Sequence, residues 1–213
     1  LRLCCARGRP RSAGGEAKST TQQIFAMDTV MDLTAYVKKA DDGISAAISI
    51  INSMDTLLDP ENERSKTYEI NHAMGSSVVV NEQIAKMLRT AQTVYERSDG
   101  ALDLPTYPLR KLWGFIDPNS RVPSDAEIER LLPCVDMGKV QLAATDDSAN
   151  YLVTMPADMS LSFGAVAKGC ASDYALQAMR AAGVPSRVVS LGGHVPTRGH
   201  QPARSARHSN AAD

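Results

Sequence analysis

The chain has 213 residues, enough for one sizeable domain or for a large and a small one. Its 43% hydrophobic and 22% charged content is ordinary for a globular protein, and a formal net charge of −1 supplies no basic footprint for nucleic acid. No apolar run is long enough to span a membrane. Cys4, Cys5, Cys134 and Cys170 have no CxxC spacing, so zinc and redox motifs are unsupported and a disulfide is not expected. Cys134 and Cys170 read as small buried hydrophobes.

The chain begins with Leu and reads as a fragment. Residues 1–21 are basic and rich in Gly and Ser, and read as a disordered leader. The opening LRLC is a poor match to a lipoprotein signal remnant, because small residues should precede the Cys. Residues 22–37 partly alternate apolar with polar, as in a half-buried strand or hairpin, with Met27 near the middle. Residues 40–58 read as a helix with Ile44, Ala47, Ile48, Ile51, Met54 and Leu58 on one face. Residues 59–71 read as a polar loop. Asn81 is a good N-cap for a helix running to Arg97, which ends at Ser98-Asp99-Gly100. The chain then turns extended under Pro105 and Pro108 before Leu109-Arg110-Lys111-Leu112-Trp113-Gly114-Phe115, which holds its one Trp. Ser124 and Glu127 form a capping box for a short helix to Leu132. Residues 139–143 and 151–154 read as hairpin strands around a polar turn.

Residues 161–195 organise the rest. They read as a short apolar strand, a Gly/Ala-rich turn, a helix from Ala167, a strand over 187–191 and a Gly192-Gly193 turn. The helical apolar positions are Cys170, Ala171, Tyr174, Ala178, Met179 and Ala182, with Gly183 as the C-cap. Phe163 to Gly169 puts almost no side-chain bulk at a strand-to-helix junction, so a ligand can approach bare backbone, and a helix start favours anions. Lys168 is the only charge there. A plain packing unit with glycines reads equally well, and the motif is neither GxGxxG nor a P-loop. After Gly199 apolar periodicity stops, and residues 200–213 read as disordered or frameshifted.

Four stretches in this order resemble the ApbE family of FAD:protein FMN transferases (flavin transferases). They are Phe25-Ala26-Met27-Asp28-Thr29, Asp99-Gly100-Ala101-Leu102-Asp103, Leu112-Trp113-Gly114-Phe115, and Gly164-Ala165-Val166-Ala167-Lys168-Gly169 followed by Leu191-Gly192-Gly193. The resemblance covers roughly residues 22–199, and it implies an α+β domain: a mixed sheet with packed helices around a T-fold-like core, here incomplete. It further implies a magnesium-dependent enzyme that cleaves the pyrophosphate of FAD, transfers FMN to a threonine hydroxyl of an acceptor protein and releases AMP. The acceptors it implies are redox-pump subunits, of sodium-pumping NADH:quinone reductases and Rnf-type complexes. The location it implies is the extracytoplasmic face of the bacterial cell membrane, as a lipoprotein. Some relatives are FAD pyrophosphatases instead.

Carried over residue by residue, Met27 matches a Met that packs on the flavin nucleotide. Ala101, Leu102 and Asp103 match a segment that contacts FAD. Ser162 and Lys168 match FAD-contacting positions, and Ala165 matches a residue whose carbonyl ligates magnesium. A core Met, a turn carboxylate and a solvated helix Lys are the bland alternatives. The sequence departs from the pattern at Ser162, where the family has Asp, at Pro105, where it has Thr or Ser, and at Cys170, where it has Tyr. Glu61 falls where some relatives place a flavin-side Tyr. The family's HxxDPxTG motif and its Asp/Thr magnesium pair have no counterpart, and His194, His200 and His208 lack the right context. The chain as given is therefore expected not to transfer FMN at a useful rate, with no catalytic residue assigned. A flavin-binding module without catalysis and an inert fragment with open strand edges are the rivals.

Overall fold

A computed structural model describes residues 19–36, 40–115, 120–193 and 195–198. Strands β1 (Thr20–Ala26) and β2 (Thr29–Ala35) form a hairpin with Ala26 opposite Thr29. Alternation places Met31, Leu33 and Ala35 of β2 in the core and leaves Phe25 and Val30 outside. Helix α1 (Asp41–Leu58) follows and buries Ile44, Ala47, Ile51, Met54 and Leu58.

Next come α2 (Lys66–Asn71), β3 (Val78–Asn81) and α3 (Glu82–Arg97). Asn81 Oδ1 accepts the Ile84 N–H at 3.1 Å, as the N-cap reading requires. A 3₁₀ turn, Leu104–Thr106, leads into α4 (Tyr107–Trp113). Then follow α5 (Asp125–Leu131), β4 (Gln141–Ala144), β5 (Asn150–Thr154), α6 (Gly164–Ala181), β6 (Arg187–Leu191) and β7 (Thr197–Arg198).

The sheet is divided in two, in the orders β1-β2-β6-β7 and β3-β5-β4, and every pairing among the described residues is antiparallel. Helices α1 and α6 pack on each other and on the first sheet, so the N-terminus of α6 and the C-terminus of α1 meet near the β1–β2 turn. That meeting point is the cleft described below.

Several expectations change. Strand β1 starts at Thr20, two residues inside the expected leader; the rest of the leader to residue 18, the tail from residue 199, His194 and Val37 lie outside the described residues. The polar loop over 59–71 contains α2, because Ser65 takes a β conformation and its Oγ caps the Tyr68 N–H at 2.9 Å. The stretch after Asp103 is helical, not extended. Pro105 and Pro108 sit in the first turns of their helices, where a missing N–H loses no bond. Residues 161–163 pair with no strand, and α6 begins at Gly164, so the Gly/Ala-rich turn is its first turn. Ala182 is exposed beyond the helix end, while Gly183 takes the positive φ of +83° foreseen for it. Cys134 and Cys170 are half-buried free thiols. Among the described residues no helix is long and apolar enough to cross a membrane.

Candidate functional site

A cleft of about 730 Å³ opens where the β1–β2 turn, the end of α1, the loop after it, α4 and the start of α6 converge. Its first wall is a strained turn. Met27 and Asp28 both sit in the left-handed region, at φ 49° and 58°. A two-residue hairpin loop needs positive φ at both positions, and Asn-Gly is its preferred sequence. Asp tolerates this conformation and Met does not, so the turn stores on the order of 1–3 kcal/mol per strained residue. Asp55, on the last turn of α1, holds it: its Oδ1 accepts the Met27 N–H at 3.0 Å. Gly192 is required for the same reason of space, since a Cβ there would lie 2.7 Å from Thr29 Oγ1, at a φ of +56°. Gly192 is thus a packing feature behind the turn, while Gly193 has open space at its Cβ and a φ of +94°.

The second wall is the start of α6. Ser162 is buried, at 8% exposure, and its N–H donates to the Leu104 carbonyl at 3.2 Å. Its Oγ accepts from the Gly164 N–H at 3.2 Å and from Arg110 Nη1 at 3.2 Å. Gly164, Ala165, Ala167 and Lys168 continue along the helix and line the cleft. In the first turn of α6 the Gly164 N–H donates to Ser162 Oγ, and the Val166 and Ala167 N–H groups donate to the Phe163 carbonyl. This end therefore offers an anion the Ala165 N–H and the positive end of the helix dipole, with the Arg110 and Lys168 charges beside them.

The third wall is acidic. Asp59 Oδ1 accepts the Glu61 N–H at 2.9 Å. Glu61 accepts from the Tyr107 hydroxyl and pairs with Lys111 Nζ at 3.2 Å. The Tyr107 hydrogen bond, helped by Lys111, holds the Glu61 carboxyl below its ordinary range although partial burial works against it. Tyr107 is 3% exposed, and burial with the Glu61 contact pushes its phenol well above the usual range.

Of the residues singled out from sequence, Met27, Ser162, Ala165 and Lys168 come together in this cleft. Ala101, Leu102 and Asp103 are not among its lining residues. Ala101 is exposed, and Leu102 packs against the core with its N–H on Ser98 Oγ at 3.3 Å. Asp103 turns the other way: its Oδ2 accepts the Met137 N–H at 3.2 Å and its Oδ1 is buried without a partner. Desolvation raises its carboxyl above the ordinary value, against the Met137 bond. Leu104, which follows the segment, reaches the site through its carbonyl, which accepts the Ser162 N–H at 3.2 Å.

Sequence reasoning did not single out Arg110 or Asp55. Each is one charge on an amphipathic helix, and only the tertiary fold brings it to the cleft. Among the described residues no three of His, Cys, Asp or Glu are grouped to hold a metal ion. Ala165, the expected magnesium ligand, lines the cleft in the first turn of α6, in a lining that also holds Asp28, Asp55 and Asp59.

The fold is α+β, and its cleft is lined by the start of α6, by Arg110 and Lys168, and by the carboxylates of Asp28, Asp55, Asp59 and Glu61. The ApbE family profile matches residues 27–208, and the chain belongs to that family. It is 28% identical over 156 residues to the FAD:protein FMN transferase of Klebsiella pneumoniae, covering 73% of this chain and 48% of that protein. The FAD:protein FMN transferase of Treponema pallidum is 26% identical over 193 residues, with coverage of 86% and 53%. Among solved structures, the ApbE protein of Thermotoga maritima superposes with a TM-score of 0.79 at 25% identity, over 86% of this chain and 60% of that one. The apo flavinyl transferase ApbE of Pseudomonas stutzeri, at 22% identity and a TM-score of 0.75, has the same fold over 87% of this chain and 60% of its own. The chain spans about half the length of the curated relatives it matches.

Proposed function

We propose that the cleft is the FAD-binding half of an FAD:protein FMN transferase. The observation that carries this reading is the convergence of Met27, Ser162, Ala165 and Lys168, from two distant segments, on one cleft of about 730 Å³. Lys168 and the α6 start stabilise the diphosphate, and Met27 packs on the flavin nucleotide. In the reaction the bond between the FMN-side phosphorus and the bridging oxygen of the diphosphate breaks, and AMP leaves with that oxygen. A threonine oxygen of the acceptor takes the FMN phosphoryl group, and its proton leaves to a base. No lining residue is assigned that role: His72, the histidine among the described residues, lies outside the lining and stacks on Tyr68. Magnesium belongs to this reading by family resemblance alone, and no step here is routed through it.

The same reading places the protein on the extracytoplasmic face of the bacterial membrane as a lipoprotein, acting on redox-pump subunits. The test mixes the chain with FAD, magnesium and a threonine-bearing acceptor fragment. With neither base nor metal pair assigned, retained FAD without a fluorescent acceptor band on a denaturing gel is the expected result. A fluorescent band would mean that residues outside the described set, or a partner chain, complete the site. Failure to retain FAD under any of these conditions would contradict the reading.

A further inference from the structure

We infer that Arg110 and Ser162 form a phosphate-oxygen subsite at the start of α6, with Arg110 as the cation and the Ser162 hydroxyl as a neutral donor. The inference rests on the dinucleotide reading above. It starts from hydrogen-bond accounting at one atom. A serine oxygen has two acceptor positions and one proton to give. Both acceptor positions of Ser162 Oγ are filled, by the Gly164 N–H at 3.2 Å and by Arg110 Nη1 at 3.2 Å. The hydroxyl proton is left over, and no acceptor for it is present among the described residues. Ser162 is 8% exposed and lines the cleft, so this proton has the cleft itself as its outlet.

Arg110 is in a matching position. One of its five N–H groups serves Ser162, and among the described residues no carboxylate pairs with its guanidinium. It lines the cleft with the rest of its donor fork available. Gly164 makes the room: a Cβ there would lie 3.2 Å from Arg110 Nη1 and 3.5 Å from Ser162 Oγ. A cationic fork, a hydroxyl proton and the Lys168 ammonium supply donors and no acceptor, and the positive end of an 18-residue helix lies beside them. Their complement is an acceptor-only anion with several oxygens, which a phosphate is and a neutral ring edge is not. Asp59 and Glu61 also line the cleft and repel such an anion, so the phosphates belong beside Arg110 and Ser162.

The experiment is titration calorimetry of the full chain with FAD, ADP and riboflavin, in wild type, Arg110→Gln, Arg110→Lys and Ser162→Ala. Loss of a charge-assisted contact predicts that Arg110→Gln weakens FAD and ADP roughly ten- to a hundredfold and leaves riboflavin unchanged. Arg110→Lys, which keeps the charge without the fork, recovers part of the loss. Ser162→Ala weakens FAD and ADP by roughly two- to tenfold, as for a neutral hydrogen bond. The Arg110→Gln deficit shrinks in high salt, because screening weakens the contact in wild type. Unchanged FAD and ADP affinity in Arg110→Gln would overturn the inference, as would an equal loss for riboflavin, or no ADP binding by the wild type. Arg110-dependent ADP binding without FAD binding would refute the flavin reading and leave the subsite standing.

Discussion

Met27 is held in a conformation that its side chain disfavours, and the acceptor that holds it is known: Asp55 Oδ1, 3.0 Å from the Met27 N–H. Asp55→Ala should therefore lower stability by about 1–2 kcal/mol and weaken any ligand packed on Met27. Asp28→Gly relieves the positive φ at the second turn position and should return part of the loss. Thermal melts of the two single variants and the double variant test this, and additive effects in the double would remove the coupling. Asp103 gives a prediction in pH. Burial raises its folded-state carboxyl above the reference of 3.8, so its favourable contribution is present below that value and is lost as pH rises through the raised one. Asp103→Asn should thus melt progressively higher than wild type as pH goes from 3 to 7; a difference that stays constant with pH would contradict the burial argument. Residues on locally patterned motifs, such as Met27 and Lys168, were legible in the sequence. Arg110 was not, because its partner Ser162 lies 52 positions away and nothing local marks the pair. Asp103 lies outside the cleft lining for the converse reason: its motif is legible, but its side chain is engaged by the turn at 137–139.

At the scale of elements, the packing of α1 on α6 and on the turn after it decides where the cleft forms. Gly43 in the first turn of α1 is buried against Val184: a Cβ there would meet Val184 Cγ2 at 2.5 Å. In an open helix Gly→Ala gains about 1 kcal/mol. Here Val184 is fully buried and β-branched, so the overlap outweighs the propensity gain. Gly43→Ala should destabilise by roughly 1–3 kcal/mol, and Val184→Ala in the same chain should recover part of it. Equal or higher melting of the single variant would show that the two helices move apart freely. The amphipathic helices α1 and α3 and the hairpin β1–β2 were legible because periodicity and caps agreed. Helix α4 was not, because two prolines look alike whether they break a helix or begin one. Nor was β3, a four-residue strand whose partner β5 is distant in sequence.

At the scale of the whole molecule, the two sheets and the α1–α6 pair bring separate stretches of chain to one cleft: the hairpin turn, the end of α1 with its following loop, α4, and the start of α6. The fold is that of the ApbE family, and the order of family motifs along the sequence foretold it. The polarity of the cleft, with Arg110 and Lys168 sharing one lining with Asp55, Asp59 and Glu61, emerged only from the tertiary arrangement. That polarity makes the central claim measurable. FAD is titrated into the wild-type chain and into Lys168→Ala, and binding is followed by flavin fluorescence. The account predicts saturable one-to-one binding that Lys168→Ala weakens by about 1–3 kcal/mol, roughly ten- to a hundredfold. No saturable binding by the wild type, or the same affinity in both proteins, would contradict it.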